Sequence, residues 1–165
     1  MDTASPTQDL PVEALELLNQ GGSLGTIFGY TDDEYEALYA LGHNHYGQQR
    51  YLDAAKCFGF LVANRAVEPR YMAAFASCMQ MLGQYQEAIQ YYSLASVLDL
   101  EDPLPTFHTA ECFIALEMPE QAREALALVV AQCLQPSLQE LGQRARALLE
   151  LLAGEGSAAT AKENA

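Results

Sequence analysis

Few residues of this chain carry side chains suited to chemistry. The three histidines are His43, His45 and His108. His43 and His45 lie two apart in a stretch of helical period, so they point to different sides and share no metal. His108 precedes Glu111 by three positions and shares its face, but two residues do not make a metal site. This pair reads as a structural hydrogen bond. The four cysteines, Cys57, Cys78, Cys112 and Cys133, form neither a C-x-x-C motif nor a close pair. They read as small buried apolar residues, not as a disulfide or metal set. A Walker loop and a Gly-x-Gly-x-x-Gly dinucleotide turn are missing from the sequence. The run Gly21-Gly22-Ser23-Leu24-Gly25 lacks the lysine and the preceding strand that phosphate binding requires. The expectation is a protein that is not an enzyme and uses no cofactor and no metal.

Charge narrows the partners. Eight Lys and Arg against 22 Asp and Glu give a net charge of −14. Nucleic acid is held by clustered basic residues, so this composition excludes it; it suits a well-solvated protein with some preference for basic partners. Half the residues are apolar, yet no run approaches the roughly 18 uninterrupted apolar residues of a membrane helix. The first basic residue is Arg50, which argues against a secretory signal and for the cytoplasm.

The elements that would position any site are set by an internal repeat. Ala54, Ala88 and Ala122 are spaced by 34 residues. Phe58, Tyr92 and Leu126 follow four positions on, and Leu61, Ala95 and Val129 seven on. Tyr51, Tyr85 and Pro119 precede each alanine by three. Leu41-Gly42, Phe75-Ala76 and Thr109-Ala110 keep the same interval, as do Leu38, Met72 and Thr106. These columns match the tetratricopeptide (TPR) pattern, two antiparallel helices per unit. Small residues let the helix backbones approach, and aromatics fill the wedge to the next unit. No unit buries its apolar face alone, so the units must stack and be capped. Gly47-Gln48-Gln49-Arg50 and Leu82-Gly83-Gln84 break the helical period where tight connections belong.

The predicted fold is therefore all-α, with three TPR hairpins over 35–68, 69–102 and 103–136. A short helix from Val12 to Asn19, ended by Gly21-Gly22, lies in the N-terminal segment 1–34. Thr31-Asp32-Asp33-Glu34 is a capping box that starts the first repeat. Pro136-Ser137 opens a capping helix over 137–153, with Leu138, Leu141, Ala145, Leu148 and Leu152 at helical spacing. Residues 154–165, small and polar, are expected to be disordered.

On the first helix of each repeat, steps of three and four apart from the packing columns select a concave face. That face comprises Tyr39, His43 and Tyr46, then Arg70, Ala73, Ser77 and Gln80, then Phe107, Glu111 and Ile114. Tyr39, Tyr46 and Phe107 would form pockets for apolar side chains. Arg70, Gln80 and Glu111 would bond an extended backbone.

Several stretches are more specific than the repeat. They are Gly21-Gly22-Ser23-Leu24, Leu38-Tyr39-Ala40-Leu41, Asn44-His45-Tyr46, and Met81-Leu82-Gly83-Gln84-Tyr85 with Ala88-Ile89 and Tyr92-Ser93. Above all, Asp102-Pro103-Leu104-Pro105-Thr106-Phe107-His108-Thr109-Ala110-Glu111-Cys112 closely resembles a Pro-x-x-x-Phe-His-Ala-Ala-Glu-Cys signature. Over residues 10 to 150 the chain resembles the class II (LcrH/SycD-like) chaperones of type III secretion. The resemblance implies a bacterial cytosolic protein, a homodimer through its N-terminal helix, that keeps hydrophobic translocators soluble and apart before export. It implies a Pro-x-Leu-x-x-Pro-like client segment lying in the groove against Tyr39, His43, Tyr46 and Tyr51 with Ala73, Ser77 and Gln80. Two departures from that family bear on client choice. His43 stands where relatives carry an aromatic, and Asn64-Arg65-Ala66-Val67-Glu68 replaces an acidic, aromatic-bearing loop.

A TPR array admits a second reading, a scaffold that joins folded proteins. The version that grips charged C-terminal tails needs a basic clamp, and this groove offers Arg70 alone.

Overall fold

The computed structural model describes residues 29–163, with side chains described as far as 154. Among the described residues seven α-helices run in order: α1 (Asp32–Gly47), α2 (Tyr51–Asn64), α3 (Pro69–Met81), α4 (Tyr85–Leu98), α5 (Leu104–Ala115), α6 (Pro119–Gln132) and α7 (Gln139–Glu163). A 3₁₀ turn, Pro136–Leu138, leads into α7. Among the described residues there is no strand. Each helix packs on the next along the chain, α1 on α2 through α6 on α7, as stacked hairpins require. The predicted helix from Val12 to Asn19 and the stretch Leu24 to Phe28 lie outside the described residues.

Three of the repeat columns are the core. Ala54, Ala88 and Ala122 have no exposed surface, and Phe58, Tyr92 and Leu126 have 1% or less. Leu61, Ala95 and Val129 are equally closed. Gly42 shows why one column must be small, since a β-carbon there would lie 2.6 Å from the Phe58 ring. The core divides into two clusters: the first two repeats share one with Cys112, and α5, α6 and α7 share the other. Cys78, Cys112 and Cys133 are buried and Cys57 is half-buried.

Helix ends repeat as faithfully as the core. Thr31 caps α1 with a reciprocal capping box, its amide donating to Glu34 at 2.8 Å. The intra-repeat turns place Gln49, Gly83 and Glu117, again 34 apart, at positive φ (61°, 76° and 57°). Around each, two backbone bonds close a Schellman motif: Gln49 N–H to Tyr46 and Arg50 N–H to His45, then the matching pairs in repeats two and three. Only one of the three left-handed positions is glycine, so the turn geometry comes from packing of the hairpin as much as from local preference.

The C-terminal segment departs from expectation. The last helix begins at Gln139, after the 3₁₀ turn, and continues to Glu163, so residues 154–163 are helical, not a disordered tail. Gly154 and Gly156 each cost about 1 kcal/mol relative to alanine in a helix. The surrounding Ala153, Ala158, Ala159, Ala161, Lys162 and Glu163 include strong helix formers, and they carry the helix through. The apolar stripe Leu138, Leu141, Ala145, Leu148 and Leu152 packs on the third repeat as a capping helix should.

Candidate binding groove

One face of α1, α3 and α5 forms a concave pocket of about 270 Å³. Tyr39 and His43 from α1 line it, with Arg70, Ala73, Ala74 and Ser77 from α3. Leu104, Pro105 and His108 close it from the third repeat, Asp102 from the end of the second, and Tyr92 rises from α4 beneath. Five of the residues selected from sequence thus meet in one cavity: Tyr39, His43, Arg70, Ala73 and Ser77.

At the first-repeat end the wall is aromatic. The Tyr39 ring lies edge-on to His43 at 4.4 Å and to Phe58 at 5.7 Å, and tilts over Tyr71 at 5.3 Å. Tyr46 sits further along α1, half-buried against the first core cluster and edge-on to Tyr51 at 5.2 Å. Burial pushes the phenols of Tyr39 and Tyr46 upward, so both stay neutral. Tyr51 does not line the pocket; it borders a separate depression with Gln49, Arg50, Leu52, Asp53 and Leu82.

Arg70 is already engaged. It pairs with Glu36 of the first repeat and lies 3.4 Å from Glu68. Its guanidinium also lies over the rings of Tyr39 (5.1 Å) and Tyr71 (4.9 Å). It ties the first two repeats together and leaves little of its fork for a client.

The opposite end is a polar network. His108 Nδ1 lies 2.7 Å from Glu111 Oε2, the structural hydrogen bond expected from their spacing. Gln80 Nε2 donates to the same carboxylate oxygen at 3.3 Å, and Arg144 of α7 approaches the other at 3.8 Å. Burial raises the Glu111 carboxyl, but the hydrogen bonds from His108 and Gln80 and the nearby charge of Arg144 outweigh it and hold the pKa below its ordinary value. Glu111 is therefore ionised and only accepts. That fixes the Gln80 amide, whose oxygen must accept from the Tyr92 hydroxyl at 2.8 Å. With its proton spent there, the buried Tyr92 hydroxyl accepts from Ser77 if it accepts at all, at 3.0 Å. Burial drives the Tyr92 phenol well above its ordinary range. The His108 ring stacks on Tyr92 at 5.4 Å.

Phe107 is a correction. It is 1% exposed and belongs to the second core cluster, so it forms no client pocket. Periodicity makes it the third-repeat counterpart of Tyr39 and Ala73. No fourth repeat follows, and α7 covers that position with Arg144 over the ring at 4.7 Å. Ile114 is likewise half-buried against the same cluster. Gln80 and Glu111 face the groove region, but the network engages both.

Sequence reasoning missed His108 and Tyr92 as groove residues, along with Ala74, Asp102, Leu104 and Pro105. A signal existed for Tyr92: it is the one hydroxyl in the column Phe58, Tyr92, Leu126, and a buried tyrosine hydroxyl needs a partner.

No protein-family model matches the chain. The chain is 32% identical over 149 residues to the low calcium response locus protein H of Yersinia pseudotuberculosis, covering 88% of each. The structure is similar to PcrH of Pseudomonas aeruginosa in complex with the chaperone binding region of PopD, with TM-score 0.75, 34% identity, and 78% and 97% of the two chains covered. It is also similar to the Yersinia enterocolitica type III secretion chaperone SycD in complex with a peptide of the translocator YopD. There the TM-score is 0.73, the identity 31%, and the coverage 76% and 97%. SycD has also been solved as a dimer. With its three hairpins, its open concave pocket and these relatives, the chain belongs to the family of type III secretion translocator chaperones.

Proposed function

We propose that this chain holds an extended segment of a hydrophobic translocator in the concave face of α1, α3 and α5, keeping the client soluble before export. The observation that carries this reading is the pocket in which Tyr39, His43, Ala73 and Ser77 converge from two repeats, with His108 closing it from the third. Such a cavity, apolar with a few fixed polar groups, suits a bulky side chain carried on an extended backbone. The translocator peptides bound by PcrH and SycD support the same class of client. The reading includes a client segment of the Pro-x-Leu-x-x-Pro kind, a bacterial cytoplasmic setting and a homodimer contact through the N-terminal segment. Among the described residues no helix is long and apolar enough to cross a membrane, which suits that setting.

Ala73→Trp tests the pocket directly, because Ala73 is half-buried and lines the cavity without belonging to the core. A synthetic peptide with the Pro-x-Leu-x-x-Pro pattern should bind the wild type and lose about thirtyfold or more in affinity for the variant. That corresponds to one interface anchor of about 2 kcal/mol. The double variant Tyr39→Ala, Tyr46→Ala should lose at least as much. The melting temperature of Ala73→Trp should stay within a few degrees of wild type. Unchanged peptide affinity with the cavity filled would refute the groove as the client site.

A further inference from the structure

We infer that His108 Nε2 is a fixed hydrogen-bond acceptor for a backbone N–H of the extended client. This rests on the proposed groove function and adds a residue to it. The argument begins with a proton count. Glu111 receives His108 Nδ1, Gln80 Nε2 and Arg144, and an ionised carboxylate donates nothing. The His108 proton therefore resides on Nδ1, and in the neutral ring Nε2 carries a bare lone pair. Within the chain Nδ1 has a partner at 2.7 Å, while among the described residues Nε2 makes no hydrogen bond. The side chain is 28% exposed and lines the pocket.

The ring is also immobilised. Glu111 pins one edge, Tyr92 stacks against one face, and Phe107 abuts it edge-on at 5.9 Å. Tyr92 in turn is held through Gln80 to the same Glu111. An acceptor locked on three sides binds without first losing rotational freedom.

The pocket needs such a group. A segment entering it meets Ala73, Ala74, Leu104 and Pro105, none of which offers a side-chain acceptor. Its backbone N–H groups must nonetheless be paired once water leaves. Arg70 only donates, and Tyr39 and His43 stand at the first-repeat end; the Tyr92 hydroxyl donates to Gln80, and the one Ser77 proton goes either to the Ala73 carbonyl or to Tyr92. Asp102 already accepts from the Leu104 amide at 2.9 Å.

The test is a scan of the same Pro-x-Leu-x-x-Pro peptide, N-methylated singly at each non-proline position, against wild type and two variants. His108→Asn retains a donor near the Nδ1 position for Glu111 and places nothing at Nε2. His108→Gln does the reverse, carrying an amide to the Nε2 position. One N-methyl position should cost about tenfold against wild type and less than about twofold against His108→Asn, as expected for one hydrogen bond. The unmethylated peptide should lose about tenfold on His108→Asn and less on His108→Gln. His108→Phe keeps the ring on Tyr92 and serves the same comparison if the Asn variant does not fold. Equal N-methyl losses on wild type and variant would overturn the inference. So would a greater loss with His108→Gln than with His108→Asn, which would assign the histidine to positioning Glu111. Failure of the unmethylated peptide to bind wild type would refute the groove reading itself, and the inference with it.

Discussion

Adding a single methyl group at Gly42 tests whether close helix approach sets both the stability and the groove. Gly42 lies inside α1, fully buried, where a β-carbon would meet the Phe58 ring at 2.6, 2.8 and 3.0 Å. In an open helix, glycine to alanine gains about 1 kcal/mol. Here the ring cannot swing aside, for Phe58 is 1% exposed and hemmed in by Tyr39 and His43 at 5.7 and 5.2 Å. Overpacking of this kind costs about 1–3 kcal/mol. Gly42→Ala should therefore lose up to about 2 kcal/mol net, the propensity gain included. Gly47→Ala, at the end of the same helix with nothing within 4 Å of the new carbon, should be neutral or gain stability. Urea denaturation followed by far-ultraviolet circular dichroism should show the midpoints moving apart with an unchanged slope. Phe58→Leu in the Gly42→Ala background should cost less than Phe58→Leu alone, with a coupling of about 0.5 kcal/mol or more. Because Tyr39 and His43 rest on Phe58, peptide binding should fall together with stability. A Gly42→Ala protein as stable as Gly47→Ala would refute the close-approach argument.

Two further perturbations address the turns and the thiols. Gln49→Gly and Glu117→Gly should each raise stability by about 0.5–1 kcal/mol by relieving non-glycine residues at positive φ, whereas Gly83→Ala should lower it by about 1 kcal/mol. Calorimetric melting temperatures moving the same way for all three would contradict the shared turn geometry. Burial pushes the Cys78 and Cys112 thiols up to about 12, leaving only about one molecule in ten thousand as thiolate at pH 8. A disulfide reagent should therefore modify the half-buried Cys57 first and reach Cys78 and Cys112 only at the rate of unfolding. Rapid modification of either would mean that the inter-repeat core opens in the native state.

Spacing alone identified the scaffold because TPR packing is periodic by construction. Ala54, Ala88 and Ala122 are invariant in type, and every residue in the columns through Phe58 and Leu61 is fully buried. The same regularity misplaced Phe107. Translating Tyr39 by two repeats is sound geometry, but it presumes a neighbour like the one Tyr39 has. At the end of an array that neighbour is α7, and it seals the site. The left-handed positions at Gln49 and Glu117 were equally hidden, since neither residue signals such a turn by type. His108 was visible only as half of a local pair. Its groove role needs Tyr92 and Gln80, residues of the second repeat brought to it by stacking.

The groove thus divides the labour between what repeats and what does not. Arg70 over Tyr39 and Arg144 over Phe107 are the same device used at two joints, between the first and second repeats and between the third repeat and α7, and they help fix the spacing of the helices. The positions His43, Ser77 and Glu111 are equivalent in backbone yet differ completely in chemistry. As a result one end of the concave face is aromatic, built from Tyr39, His43 and Tyr46, while the other is a hydrogen-bonded network anchored on Glu111. An apolar anchor gains most at the first end, by burial. Backbone N–H groups find the fixed acceptor His108 near the second. A client obeying both demands has one favourable direction and one favourable register, because sliding it by one residue withdraws the anchor or the amide. Selectivity then arises from departures from the repeat, and the repeat itself supplies the rigidity that makes those departures count.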